Sequence, residues 1–70
     1  MSNATIGKNL RNLIREKNMS EKEFAEKIGK DSSKVSKWCL GIESINIEEL
    51  YPISQGLGME LSQLMKKLES

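Results

Sequence analysis

Apolar residues near the start of the chain recur at the spacing of one helical face. They are Ile6, Leu10, Leu13 and Ile14. Side chains three and four residues apart lie on the same side of an α-helix, and the residues between them here are polar or basic. The pattern predicts a first amphipathic helix over residues 5–17, with Asn3 or Thr5 as its N-cap and Asn18 at its end.

A capping box marks the start of a second helix. Ser20 is followed three residues later by Glu23, so that each side chain can bond the backbone amide of the other. Met19 and Phe24 flank this box in the positions of a hydrophobic staple. Gly29 is expected to end the helix, because glycine adopts positive φ at little cost.

A third helix is predicted to follow at once, with Asp31 as its N-cap and Gly41 at its end. On a helical wheel its apolar side consists of Val35, Trp38 and Cys39. Its opposite side consists of Ser33, Ser36, Lys37 and Leu40, with Lys34 on the flank and Ser32 in the first turn. The third helix therefore has an apolar back and a small, polar, weakly basic front.

The same capping pattern precedes a fourth helix, where Asn46 is the expected N-cap, Glu49 reaches back to it, and Ile45 packs on Leu50. Its inward residues are Leu50, Ile53 and Leu57. Pro52 lacks an N–H group, which predicts a kink or a split of this helix. Gly56 is expected to weaken the helix further, and Gly58 to end it. A short fifth helix is predicted from the spacing of Leu61, Leu64, Met65 and Leu68.

Composition supports one all-α domain over residues 1–70, and the two amphipathic helices joined at Gly29 predict a helix-turn-helix core at residues 20–41. The chain has one valine and one proline, so signals for β-strands are nearly absent. Neither an apolar run of membrane-spanning length nor a secretory leader is recognised, which indicates a cytoplasmic protein.

Candidate chemistry is sparse in this sequence. Cys39 is the only cysteine and histidine is absent, so an internal disulfide and a metal centre are not expected. The commonest acid–base groups are missing as well, which argues against an enzyme, and no cofactor is expected. Cys39 is interpreted as a buried thiol in a reducing compartment.

Charge is distributed unevenly along the chain. Residues 1–41 carry nine Lys and Arg against five Asp and Glu, whereas residues 42–70 carry two against five. The first part therefore has a charge of +4 and the second of −3. The basic part is able to face phosphates while the acidic part faces away, although such an asymmetry also arises by chance.

The spacing of Ala25, Gly29 and Val35 resembles that of the Cro/lambda-repressor-like (Xre-type) helix-turn-helix family, and the resemblance extends over residues 6–65. It implies a compact five-helix DNA-binding domain whose third helix lies in the major groove. The implied function is a sequence-specific transcriptional regulator, a repressor that binds double-stranded operator DNA as a homodimer. The residues that match the family's DNA-contacting positions are Glu21, Ser32, Ser33, Lys34, Ser36, Lys37, Gly41 and Ser44. Backbone amides at the start of the second helix and after Gly41 are expected to bind phosphate.

The resemblance also implies a dimer surface in the C-terminal part. Leu64, Met65 and Leu68 exceed what so small a core requires, which favours this surface; the alternative is that Leu68 frays at the terminus. Tyr51 is a second candidate for an exposed interface residue.

Several residues depart from the family pattern. Glu21 stands where the family usually has glutamine, and the loop after the third helix is apolar rather than basic, with Leu40, Ile42 and Ile45. Weaker phosphate binding is therefore expected. These departures support an alternative function, a protein-interaction module such as an antitoxin or anti-regulator with weak or no DNA binding.

Ile14 and Cys39 occupy positions where many family members carry an arginine–glutamate ion pair. Both partners of that pair are replaced together, and apolar replacement of a whole buried pair is often neutral or stabilising. The two side chains are predicted to touch in the core. Trp38 is interpreted as a core residue rather than a residue that stacks on DNA, because it lies in line with Val35.

Overall fold

The computed structural model describes residues 2–70, which form five α-helices and no β-strand. The helices are α1 (Asn3–Glu16), α2 (Glu21–Ile28), α3 (Ser32–Leu40), α4 (Ile47–Leu57) and α5 (Leu61–Glu69). The predicted all-α class and the five predicted helices are confirmed. The helix α3 packs against α1 and α2, and α5 packs against α1 and α4.

Hydrogen bonds fix the start of the first two helices. The N-cap of α1 is Ser2, whose Oγ accepts from the Thr5 N–H at 3.2 Å. The prediction of Asn3 or Thr5 at this position is therefore wrong, because the Ser2 hydroxyl offers the same acceptor just before Asn3. The capping box of α2 is confirmed. The Glu23 N–H donates to Ser20 Oγ at 3.0 Å and the Ser20 N–H donates to Glu23 Oε1 at 2.9 Å.

The turn between α2 and α3 depends on Gly29. Its φ of 74° lies in the left-handed region, where a Cβ atom would introduce strain. The Lys30 N–H then donates back to the Ala25 carbonyl at 2.9 Å, which closes the end of α2. Asp31 occupies the predicted N-cap position of α3, but its side chain makes no capping hydrogen bond.

The helix α4 is continuous through Pro52, so the expected split is wrong. Proline has a φ value that suits a helix, and its missing N–H removes only one bond, the one to the Glu48 carbonyl. The start of α4 is held by Glu49, whose Oε1 accepts from the Asn46 N–H at 2.9 Å. The predicted contribution of Glu49 to the cap is therefore confirmed.

The core contains apolar residues from all five helices. Its buried members are Leu10, Leu13, Ile14, Phe24, Ala25, Val35, Trp38, Cys39, Ile53, Leu57, Leu64 and Leu68. Leu64 and Leu68 are 0% and 4% exposed, so both the predicted dimer stripe through them and the fraying of Leu68 are wrong. The core needs them because α5 packs on α1, where Asn9 Nδ2 donates to the Leu68 carbonyl at 2.8 Å.

Two glycines allow helices to approach closely. A Cβ atom at Gly7 would lie 2.7 Å from the Cys39 carbonyl oxygen and still closer to that of Trp38, so the backbone of α1 nearly touches that of α3. A Cβ at Gly56 would lie 2.5 Å from Ile28 Cγ2, where α4 meets α2. Gly56 therefore allows α4 to pack closely on α2, a role that was not predicted when it was expected only to weaken α4.

Candidate nucleic-acid interface

The two sides of α3 differ in burial as the helical wheel predicts. On one side Val35, Trp38 and Cys39 are buried, with Trp38 only 1% exposed. On the other side Ser32, Ser33 and Lys37 are exposed and Ser36 is partly exposed. The prediction that Trp38 is a core residue is confirmed. The front of α3 offers three hydroxyl groups and one ammonium group to a ligand.

Lys34, on the flank of this front, is bound by carboxylates of its own chain. Its Nζ lies 2.7 Å from Glu43 Oε2 and 3.8 Å from Glu49 Oε2, and Lys30 Nζ also lies 3.8 Å from the Glu49 oxygen. The hydrogen bond to Glu43 raises the pKa of Lys34, and the same bond lowers the pKa of Glu43. Lys34 thus already has anionic partners within its own chain.

Glu21, at the first position of α2, is also paired. The Arg11 Nε–H donates to Glu21 Oε2 at 3.0 Å, and both side chains are about one-third exposed. This pair offsets the negative charge that the sequence places where the family has a neutral glutamine. It also removes Arg11 from the free positive charges of the basic part of the chain.

Cys39 lies behind this ion pair. The thiol is 4% exposed, and burial, together with the negative charge of Glu21, raises the pKa of Cys39 to about 11. Ile14 is buried in the same core cluster, while direct contact between Ile14 and Cys39 stays a prediction. A polar pair joining α1 to α2 therefore lies beside the two apolar residues that replace the family's ion pair.

Backbone amides after α3 already have acceptors within the chain. The Gly41 N–H donates to the Trp38 carbonyl at 3.1 Å, and the N–H groups of Ile42 and Glu43 donate to the Lys37 carbonyl at 3.0 and 3.3 Å. Closing the end of α3 uses the Ile42 and Glu43 amides, the first two after Gly41, so phosphate binding by this loop stays a prediction only for the amides beyond them. Ser44, the last predicted contact residue, is exposed.

Exposed apolar side chains lie at the end of α3 and in the segment that follows it. Leu40 and Ile42 are 55% and 71% exposed, but Ile45 is partly buried against the core and does not belong to the predicted patch. Ile47 is 81% exposed and was not predicted. Its signal was available in the sequence, because it lies one helical turn before Tyr51, whose predicted exposure is confirmed at 60%.

The helix-turn-helix family model HTH_3 matches residues 9–64, more than half of the chain. The chain belongs to this helix-turn-helix family. The predicted resemblance to Cro/lambda-repressor-like proteins is thereby confirmed. The matched range includes every candidate DNA-contacting residue, from Glu21 to Ser44.

Two crystal structures of the clp gene regulator ClgR from Corynebacterium glutamicum share the fold of this helix-turn-helix domain, each with a TM-score of 0.84 and 19% sequence identity. The similarity covers 96% of this chain, and 87% of the ClgR chain in one structure and 71% in the other. No curated protein matches the chain. The ClgR structures support the five-helix architecture.

Two further features are absent from the described part of this helix-turn-helix domain. Within residues 2–70, no three acidic or cysteine side chains lie close enough together to hold a metal ion. Over the same residues, no helix has both the length and the apolar character of a membrane span.

Proposed function

We propose that this helix-turn-helix domain is a sequence-specific DNA-binding transcriptional regulator that places α3 in the major groove. The observation that carries the proposal is the contrast between the two faces of α3. Ser33, Ser36 and Lys37 face outward, while Val35 and Trp38 fix the helix to the core. Membership of the helix-turn-helix family supports it, and ClgR, a clp gene regulator, supports a role in gene regulation.

The proposed contacts divide into base reading and phosphate binding. Ser32, Ser33 and Ser36 donate or accept hydrogen bonds at base edges, and Lys37 donates to guanine O6 and N7 or to a phosphate. The amides of Glu21 and Lys22, the first two of α2, bind phosphate, because they lack partners within the helix and lie at its positive end, whereas the Glu23 amide already donates to Ser20 Oγ. Lys34, on the flank of α3, and Ser44, in the loop after it, contact the sugar–phosphate backbone.

We further propose that the protein acts in the cytoplasm as a repressor and as a homodimer. Occupying an operator is enough to block transcription and requires no additional surface on so small a domain. Two copies would present their α3 helices about one DNA turn apart, ~34 Å. Since Leu64 and Leu68 are buried, the proposed interface uses the outer side of α5, where Leu61 and Met65 are 39% and 44% exposed.

Selection of bound sites from random duplex DNA tests the proposal, followed by titration of the selected site at fixed salt. The Lys37→Ala variant should bind that site ~5-fold or more weakly, because a good contact to a base contributes ~1–3 kcal/mol. Lys27→Ala, which removes an exposed lysine from the last turn of α2, is the matched control and should bind as the unmodified protein does. Equal affinities for all three proteins would show that Lys37 is not one of the residues that read the DNA sequence.

A second candidate function is a protein-interaction module on the same scaffold. It is favoured by the exposure of Leu40 and Ile42, and by the pairing of Arg11 and Lys34 with carboxylates. Binding to random duplex DNA at less than ~50 mM salt separates the two functions, because every protein that binds the groove has a non-specific electrostatic component. Absence of any such binding would favour the interaction module.

A further inference from the structure

Four charged residues form a cluster between the turn before α3, the helix itself, the loop after it and the start of α4. Lys34 contacts Glu43 and Glu49, and Lys30 contacts Glu49. The shortest contact in the cluster, at 2.7 Å, joins Lys34 Nζ to Glu43 Oε2. The cluster borders the front of α3, where the proposed function places DNA.

The Glu49 carboxylate and the backbone of Glu43 are held in place independently of Lys34. Glu49 has a side chain only 7% exposed, and its Oε1 accepts from the Asn46 N–H. Glu43 follows a turn in which its own N–H donates to the Lys37 carbonyl. Because Glu49 is anchored next to Lys34 and the backbone of Glu43 is held beside it, the lysine has an anionic partner before any DNA arrives.

Solvent exposure makes the contact with Glu43 exchangeable. The Lys34 and Glu43 side chains are 35% and 37% exposed, and ion pairs at such positions are weak enough for another anion to replace. A DNA phosphate that approaches α3 meets the same ammonium group. It also meets the negative charge of Glu43, which opposes its approach.

We propose that Glu43, supported by Glu49, competes with DNA phosphate for Lys34 and so limits the affinity of the domain for DNA of every sequence. This inference rests on the proposed function. A contact to phosphate carries no sequence information, so the competition changes specific and non-specific affinity by the same factor. Glu43 is thus a positioning residue that sets how strongly the domain binds and leaves its preferred sequence unchanged.

Salt dependence gives the competition a measurable size. Each lysine that neutralises a phosphate adds about 0.9 to the slope of log affinity against log salt. If Glu43→Gln frees Lys34 for one phosphate, the gain of affinity should be about 3.5-fold larger at ~50 mM than at ~200 mM salt. The gain should be the same for a random duplex and for the selected operator.

The experiment titrates a random and a selected duplex at several salt concentrations with four proteins. They are the unmodified chain, Glu43→Gln, Glu48→Gln and the double variant Lys34→Ala/Glu43→Gln. Glu48→Gln is the matched control, because it changes the net charge equally at an exposed glutamate that belongs to no ion pair within residues 2–70. Circular dichroism confirms that each variant is folded.

The inference is supported if Glu43→Gln gains DNA affinity and has the steeper salt slope. The gain must also be absent from Glu48→Gln and lost in the double variant. An equal gain in both single variants, or a gain that persists without Lys34, overturns it and leaves the proposed function intact. If no protein, including Glu43→Gln, binds either duplex at ~20 mM salt, the proposed function fails and the inference fails with it. Binding by Glu43→Gln alone supports the competition in its strongest form.

Discussion

The contact of α1 with α3 at Gly7 allows a direct test of how the candidate interface is supported. In Gly7→Ala, the added methyl group would lie 2.7 Å from the Cys39 carbonyl oxygen and closer still to that of Trp38. Both obstacles are backbone atoms of α3, so neither moves away by a side-chain rotation. The two helices must separate, which opens the packing around Trp38.

Two opposing effects set the magnitude of this change. Alanine in place of glycine inside a helix is favourable by ~1 kcal/mol. An ordinary contact begins near 3.4 Å, so the methyl group requires a displacement of about 0.7 Å from the Cys39 oxygen and more from that of Trp38. Overpacking of this kind costs up to ~3 kcal/mol. The net loss in free energy of unfolding should be ~2 kcal/mol, which lowers Tm by ~8–16 °C in a domain of this size.

Urea titration followed by Trp38 fluorescence and far-UV circular dichroism measures the difference. Asn12→Ala is the matched control, because Asn12 is exposed on the same helix and its replacement changes helix propensity without a steric clash. The control should be at least as stable as the unmodified chain. A Gly7→Ala protein that equals or exceeds the stability of the unmodified chain would show that α1 and α3 are not in close contact.

Three further predictions concern the core and the helix caps. The pKa of Cys39 is raised from 9.0 to about 11, so the buried thiol should stabilise the fold fully below pH 9, and this stabilisation should be lost between pH 9 and 11. Urea titrations at each pH should show this loss for the unmodified chain and not for Cys39→Ala. Leu64→Ala should lower the free energy of unfolding by ~2–5 kcal/mol, whereas Met65→Ala should lower it by less than ~0.5 kcal/mol. Equal losses in chemical denaturation would contradict the assignment of Leu64 to the core. Ser20→Ala should cost ~1 kcal/mol through loss of the capping box, and an unchanged Tm would mean that the box contributes nothing.

Local sequence signals predicted the helices because the interactions that begin and end a helix join residues close in the chain. Ser20 and Glu23 are three residues apart, and Gly29 acts through its own φ. The N-cap of α1 was misplaced because Ser2, Asn3 and Thr5 all have suitable side chains, and only the backbone geometry selects one.

Interactions between distant residues escaped prediction. Arg11 and Glu21 belong to different helices, and Lys34 meets Glu43 and Glu49 only when the loop and α4 fold back toward α3. Burial of Leu68 depends on α1, which lies at the other end of the sequence. The sequence therefore identified the polar front of α3, but not which of the bordering charges are already neutralised by partners in the chain.

The near contact of backbones at Gly7 also bears on the thermodynamics of association. With α1 against its carbonyl groups and α2 joined to it by a short turn, α3 is packed into the domain before it meets a ligand. No folding step is then required on contact, so the entropic cost of binding is confined to rigid-body freedom and exposed side chains such as Lys37. The heat-capacity change of complex formation should accordingly match the apolar area buried between the two surfaces, without the larger change that accompanies coupled folding.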